Sequence, residues 1–473
     1  MGFRVEHDLL GERQVPEEAY YGIHTLRAME NFPLTGRPIH KKLVMALVTV
    51  KKAATLANTE LGFLPERIGK AITAACDEIL AGNLLEHFVV DSIQGGAGTS
   101  SNMNVNEVIA NRAIEILGGK KGDYSMVHPI NHVNLFQSTN DVYPTALRIA
   151  AIWLLKPLSE SMARLQEALQ QKENEFCDCL KVGRTQLQDA VPIMLGQEFG
   201  AYAQAIARDR WRLYKVEERL RQVNIGGTAV GTGLNADKRY IYLVTEKLQD
   251  LTGLGLARAE YLMDPTQNAD VFVEVSGLLK SAAVNLSKIA SDLRLLSSGP
   301  RAGLMEISLP PMQAGSSIMP GKVNPIIPEA VNQVAFQVMA NDMAITLAAQ
   351  AGQLELNAML PLIAHNLLES LEIMDNAVKI FIERCISGIT ANREHCSQLL
   401  EESFSTLAAL TSHIGYDAAT MVAQKALAEK KSVRQVVLEM GLMEGEKLDR
   451  LLNPYELTKF STFEGHSFNP DSD

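Results

Sequence analysis

The sequence predicts a mostly α-helical fold, and three observations carry that prediction. The first is a set of long seams in which apolar residues recur at helical spacing. One seam runs through Leu158, Met162, Leu165, Leu169 and Phe176. Another takes in Val271, Val275, Leu278, Ala282, Leu286, Ile289, Leu293 and Leu296, and a third holds Leu360, Ile363, Leu367, Leu371, Met374, Val378 and Phe381. The second is punctuation: Gly299-Pro300 closes the middle seam where a helix should stop. The third is the scarcity of apolar/polar alternation, the mark of a half-buried strand. Seams over about 25–35 residues exceed the usual globular helix of about 12. Helices this long are expected to form a bundle, packing against other subunits as well as their own chain.

Totals narrow the class. The length of 473 residues suggests about three domains. Apolar residues make up 47%, enough for a large core. The net charge of −11 argues against nucleic acid or an anionic membrane as partner. An anionic substrate must therefore be drawn in by local cations and helix ends. The cysteines Cys76, Cys177, Cys179, Cys385 and Cys396 are scattered and form no CxxC, which favours free thiols over a disulfide framework or zinc site. Arg4, Glu6, His7 and Asp8 leave no apolar core for a signal peptide, and the Met-Gly start lacks the hydroxyl a myristoylation pattern needs. The longest strongly apolar run, residues 149–155, is far too short to span a bilayer. A soluble cytoplasmic protein is expected.

Taken in order, residues 1–40 read as irregular, with Pro16, Pro33 and Pro38 as breakers. A helix follows from Lys41 to about Leu61. Residues 95–112 read GGAGTSSNMNVNEVIANR, with glycines, then the hydroxyls of Thr99, Ser100 and Ser101, then a helical pattern from about Asn104. Neutral hydroxyls before a free helix N-terminus make an anion cradle; a plain Ser/Thr cap with a glycine lead-in fits the same letters. Residues 128–141, HPINHVNLFQSTND, set Ser138, Thr139 and Asn140 in a row before a long helix. His128 and His132 have metal-like spacing, but no acidic or cysteine partner lies close in sequence, so they read as structural. Residues 183–196, GRTQLQDAVPIMLG, put Thr185 and Gln186 at the head of the next helix, with Pro192 near its first turn. GGTAVGTG at 226–233 lacks GxGxxG and a βαβ setting, so it reads as a tight connection rather than a dinucleotide site. After Ile389 the pattern shortens to helices near 396–411, 414–428, 432–440 and 445–452, with a polar tail from Glu464. The expected domains are 1–140, a central bundle over 141–390, and a small helical domain over 391–473.

Residues 315–325 organise the rest, reading GSSIMPGKVNP. Ser316 and Ser317 lie between Gly315 and Gly321, and Lys322 and Asn324 follow. Glycines at both ends let the backbone move, as a lid over a reaction site must. Pro325 and Glu329 suit the first turn of a helix, whose N-terminus would help hold a small anion. A Gly/Ser connector is the plain alternative, but connectors rarely combine two hydroxyls, a lysine and an asparagine this tightly.

This undecapeptide closely resembles the loop of the fumarase/aspartase superfamily, lyases that make or use fumarate. Similarity extends over nearly the whole chain, from Arg4 to beyond Glu439. RVEHDLLGE and AYYGIHTLRAMENF resemble the opening of its aspartate ammonia-lyase branch more than that of fumarases. The resemblance implies a three-domain subunit, a twenty-helix core in a homotetramer, and active sites shared among three subunits. It implies deamination of L-aspartate to fumarate and ammonia, with no cofactor required; divalent-metal activation is left open. Class II fumarate hydratase and an inactive structural member are the alternatives.

Residue by residue, the resemblance makes Ser316 the general base. Thr99, Ser138, Thr139 and Ser317 would hold the β-carboxylate; Thr185, Lys322 and Asn324 the α-carboxylate; and Thr99, Asn140 and Gln186 the amino group. Fumarases of this type carry histidine where Gln186 stands. The charge relay that such a histidine would make with Glu329 cannot operate here, which bears on substrate choice.

Overall fold

The computed structural model describes residues 2–458. It opens with an antiparallel hairpin, β1 (Phe3–Asp8) and β2 (Gly11–Pro16), followed by α1 (Ile23–Asn31). The sequence hides this hairpin because its burial sense is inverted. Glu6 is buried while Phe3 and Val5 are exposed, so no apolar stripe marks a strand. Arg4 makes the inversion tolerable, since its guanidinium donates to Glu6 and to the carbonyls of Pro16, Ala19 and Tyr21.

Helices then dominate. They are α2 (Lys41–Glu60), α3 (Glu66–Leu80), α4 (Thr99–Ile116) and α5 (Thr139–Glu175). A second hairpin, β3 (Leu180–Thr185) and β4 (Gln188–Met194), precedes α6 (Leu195–Leu220). Two-residue strands β5 (Gln222–Val223) and β6 (Ala257–Arg258) flank α7 (Lys238–Thr252). Next come α8 (Asp264–Gln267), α9 (Asp270–Leu296), β7 (Ile307–Ser308), α10 (Ile326–Gln350), α11 (Leu360–Arg384) and β8 (Thr390–Ala391). Six short helices finish the described chain: α12 (Arg393–Glu402), α13 (Leu407–Ile414), α14 (Tyr416–Glu429), α15 (Val433–Glu439), α16 (Gly445–Leu451) and α17 (Pro454–Thr458). Every sheet among the described residues is two-stranded.

The mostly helical class therefore holds, and the long seams fall on α5, α9 and α11. Their expected role needs correction. Leu158, Met162, Leu165 and Leu169 are fully buried within the single chain, and Val275, Leu293, Ile363, Leu367, Leu371 and Phe381 are likewise. Exposed apolar residues lie elsewhere, notably Phe336, Met343 and Leu347 on one stripe of α10. The expected helix near 396–411 is also two helices. Ser403 is extended after α12, and its hydroxyl bonds the Leu400 carbonyl and the Ser405 N–H, ending one helix before the next begins.

Two compact units divide the chain. One holds the stretch to Met162 with Arg208–Asn285 and Gln333–Val378; the other holds Ala163–Ala207, Leu286–Asn332 and the stretch from Lys379. Near the C-terminus, Leu410, Val422, Val436, Val437 and Leu448 build a small core of their own. The polar tail from Glu464 lies outside the described residues.

Candidate active site

In the first unit the candidate residues sit at two neighbouring helix N-termini. α4 begins at Thr99, five residues earlier than the sequence pattern suggests, after a left-handed Gly98 (φ 94°). A Cβ at Gly98 would lie 2.3 Å from the Tyr143 ring, so only glycine lets this turn lie against α5. Thr99 Oγ1 donates to the Gly96 carbonyl (2.7 Å), which leaves its lone pairs for a ligand.

Ser138 caps α5. Its Oγ accepts from Asn140 N (3.2 Å), and Asp141 answers by accepting from Ser138 N (2.9 Å), a reciprocal cap that leaves the serine proton unspent. The other Asp141 oxygen accepts from Gly226 N and Thr228 N, both at 3.0 Å. The glycine-rich connection is thereby fastened under the cap. Burial pushes the Asp141 carboxyl up to about 7, against the pull of these N–H groups and of Lys51. Asn140 Nδ2 donates to the Ala229 carbonyl (2.7 Å), so its Oδ1 remains to accept. Thr139 Oγ1 accepts from Asn102 Nδ2 (3.1 Å).

His128 caps a π-helical segment, Pro129–Val133, that contains His132, and the Nδ1 atoms of both accept from nearby backbone N–H groups. Among the described residues no group of three His, Cys, Asp or Glu could hold a metal ion.

The second unit carries the remaining candidates on two elements. Thr185 and Gln186 stand at a hairpin tip and not at a helix head. β3 and β4 turn through Gln186 and Leu187, with φ of 54° and 61°, and Pro192 lies within β4. Such a two-residue turn normally requires Asn-Gly, so a glutamine and a leucine here hold strain of the kind found at functional sites. The strand carrying Thr185 is anchored from below by ion pairs. Lys181 Nζ lies 2.9 Å from Glu198 and 2.9 Å from Glu306, and Arg184 lies 2.8 Å from Glu306.

The serine loop closes on itself. Gly315 N donates to the Lys322 carbonyl (2.8 Å), and Asn324 Nδ2 donates to the Gly315 carbonyl (2.8 Å). A Cβ at Gly315 would meet that Lys322 oxygen at 2.4 Å. Within the loop, Ser316 Oγ accepts from Ile318 N (3.2 Å) and Met319 N (3.0 Å). Two backbone donors aimed at one serine oxygen favour its ionised form. Ile318, Met319 and Val323 are exposed, and a cavity of about 230 Å³ lies behind the loop, lined in part by Pro300, Ile307 and Asn324. Lys322 is exposed, and its ammonium has no ion-pair partner among the described residues. Glu329, in the first turn of α10, lies 3.9 Å from Arg294.

The structure thus brings Thr99, Ser138, Thr139 and Asn140 to one place. It sets Ser316, Ser317, Lys322 and Asn324 on one closed loop. No hydrogen bond joins that loop to Thr185 or Gln186 among the described residues. Sequence reasoning missed Asn102, Asn134 and Lys51, which lie beneath the first group. The spacing of Asn102 and Asn106, one turn apart on a buried helix, was the available signal.

A long-helix scaffold holding a neutral anion cradle and a glycine-bounded serine loop is that of a carbon–heteroatom lyase. Residues 11–340 match the family described as Lyase, and residues 407–459 match that described as Fumarase C C-terminus. An aspartate ammonia-lyase of Bacillus subtilis is 53% identical over 457 residues, 97% of this chain and 96% of its own. A crystal structure of a fumarate lyase:delta crystallin from Brucella melitensis bound to cobalt superimposes with a TM-score of 0.92 at 50% identity, covering 96% of this chain and 99% of that one. A recombinant class II fumarase from Schistosoma mansoni matches equally well in fold, with a TM-score of 0.92, at 36% identity and the same coverage. The chain belongs to the fumarase/aspartase superfamily of lyases.

Proposed function

We propose that this chain is an aspartate ammonia-lyase, converting L-aspartate reversibly to fumarate and ammonia. The single observation that carries the reading is the full-length similarity to aspartate ammonia-lyases at about half identity. Residues 1–140, 141–390 and 391–473 are its three domains.

The chemistry asks for what these loops contain. Taking a proton from the carbon beside a charged carboxylate yields an aci-carboxylate dianion, so the barrier is largely electrostatic. Ser316, as alkoxide, takes that proton, and the electron pair moves onto the β-carboxylate. The pair then returns to form the C=C bond as the C–N bond breaks, and nitrogen leaves with its electrons as ammonia. The Ile318 and Met319 N–H groups support the alkoxide. Ser138, Thr139 and Ser317 donate to the β-carboxylate, each such donor contributing about 10²–10³ in rate. Lys322, Thr185 and Asn324 hold the α-carboxylate. Asn140 Oδ1, Gln186 and Thr99 accept from the ammonium. For Thr99 this narrows the role that the resemblance implies, because its proton is already given to Gly96.

The two sets of residues meet between copies of the chain in a homotetramer, and the exposed apolar stripe on α10 supports that assembly. No described helix is long and apolar enough to cross a membrane. The free cysteines support a cytoplasmic setting. No cofactor is required.

Incubating the protein with fumarate plus ammonium, and separately with fumarate alone, tests the reading. Aspartate forming only in the first is expected. Malate forming at a comparable rate in the second would make it a fumarate hydratase, and no turnover in either would make it a structural member.

A further inference from the structure

Beneath the first group of site residues lies a cluster of buried and half-buried polar side chains in which the donor and acceptor of each hydrogen bond are fixed. Lys51, fully buried on α2, donates to Asn134 Oδ1 (2.7 Å) and to Gln137 Oε1 (2.9 Å). Burial pulls its ammonium down to about 7. Those donor and acceptor roles do not depend on that charge. Asn134 Nδ2 donates to the backbone carbonyl of Gln137 (3.1 Å), which can only accept, so the oxygen of Asn134 must face inward. Gln137 is fixed in the same way, its Nε2 donating to the carbonyls of Val133 and Leu135.

From Asn134 the constraint passes to Asn102. The inward Asn134 oxygen accepts from Asn102 Nδ2 (3.2 Å), and also from Asn106 Nδ2 (3.2 Å). The other proton of Asn102 Nδ2 points at Thr139 Oγ1 (3.1 Å). Asn102 Oδ1 is buried without a partner, a cost that would ordinarily argue for turning the amide over. Turning it would set two carbonyl oxygens against each other at the Asn134 contact, so the orientation stands. Thr139 Oγ1 makes no other hydrogen bond among the described residues. An amide N–H cannot accept, so the Thr139 hydroxyl must spend its own proton elsewhere.

We propose that Asn102 is a positioning residue for the reaction. Held by Asn134, which Lys51 in turn anchors, it occupies one lone pair of Thr139 and, unable to accept there, leaves that hydroxyl's proton for the substrate's β-carboxylate. The inference rests on the aspartate ammonia-lyase reading for the identity of that anion. The relay gives the cradle a fixed donor without placing a cation in contact with substrate.

Four variants form the test: Asn102→Asp, Asn102→Ala, Thr139→Val, and the double Asn102→Asp/Thr139→Val. Asn102→Asp keeps the shape but offers Thr139 a carboxylate oxygen, which draws the hydroxyl proton away from the ligand. Turnover of L-aspartate and calorimetric affinity for succinate are measured on each, with melting curves to establish folding. The relay predicts that Asn102→Asp and Thr139→Val each lower kcat/KM about 100-fold, the worth of one well-aimed donor, and that each also weakens succinate binding. The double variant should then be no worse than Thr139→Val. Losses that multiply in the double variant would overturn the proposal, as would near-native activity in either single variant. If Asn102→Asp fails to fold, Asn102→Ala replaces it in the cycle under the same criterion. Should the native protein not deaminate aspartate at all, the functional reading fails, and the succinate affinities decide the relay through the same non-additivity.

Discussion

The cradle at the starts of α4 and α5 and the serine loop at 315–325 are built in opposite ways. In the cradle each polar side chain is held from below. Asn102 orients Thr139, Asp141 fastens Ser138 and the glycine-rich connection, and Gly98 lets one helix end lie on the Tyr143 ring. The serine loop has no such foundation. Ser316 is bonded only within its own loop, and Ile318, Met319, Val323 and Lys322 are exposed. A rigid cradle suits groups that must already point at the charge when it develops. On the proposed mechanism, a loop closed only on itself suits a base that approaches after substrate has entered. On that mechanism the cradle supplies only binding groups, and the loop brings the base together with Ser317, Lys322 and Asn324.

The largest expected effect comes from removing the base. Ser316→Ala should cost at least about 10³ in kcat while succinate affinity stays near native, because the cradle is untouched. Near-normal turnover would take Ser316 out of the mechanism, and lost affinity would erase the division between the regions.

A pair of glycine substitutions sharpens the contrast. Gly98→Ala forces a Cβ into Tyr143 at a left-handed position and should lower the melting temperature by several degrees. Gly315→Ala meets only backbone of its own loop, the Lys322 carbonyl and the Asn324 nitrogen. It should reduce kcat with little change in melting. Equal effects on melting would mean the loop is as firmly built as the cradle.

A smaller effect is expected at the hairpin tip. Glutamine accepts from an ammonium at any pH, whereas a histidine does so only while neutral, titrating near 6.5. The native preference for aspartate over malate should therefore be flat between about pH 6 and 8. In Gln186→His it should weaken as pH falls through that range, as the ring becomes cationic and opposes the ammonium. An unchanged profile in the variant would show that discrimination lies elsewhere.

How far the sequence discloses these regions follows from what each is made of. The long helices are legible because apolar seams report their own period. Residues 315–325 stand out because serines, glycines, lysine and asparagine crowd one exposed stretch. The hairpin at Thr185 and Gln186 is hidden because its turn uses residues that ordinarily avoid positive φ, a strain only tertiary structure can hold. The foundation of the cradle is hidden for another reason. Lys51 and Asn134 lie 83 positions apart in sequence and are joined by a part-buried hydrogen bond. A lysine within an apolar helix reads as a solvated face until burial is known.

The central claim is that the cradle and the serine loop of one active site come from different copies of the chain. Mixing subunits tests it most directly. Thr139→Val and Ser316→Ala proteins, each nearly inactive alone, are dissociated together and allowed to reassemble. Random assembly should bring back roughly a quarter of native activity, since about that share of sites draws a native cradle from one copy and a native loop from another. A mixture no more active than the sum of its parents would place both in one subunit and contradict the account.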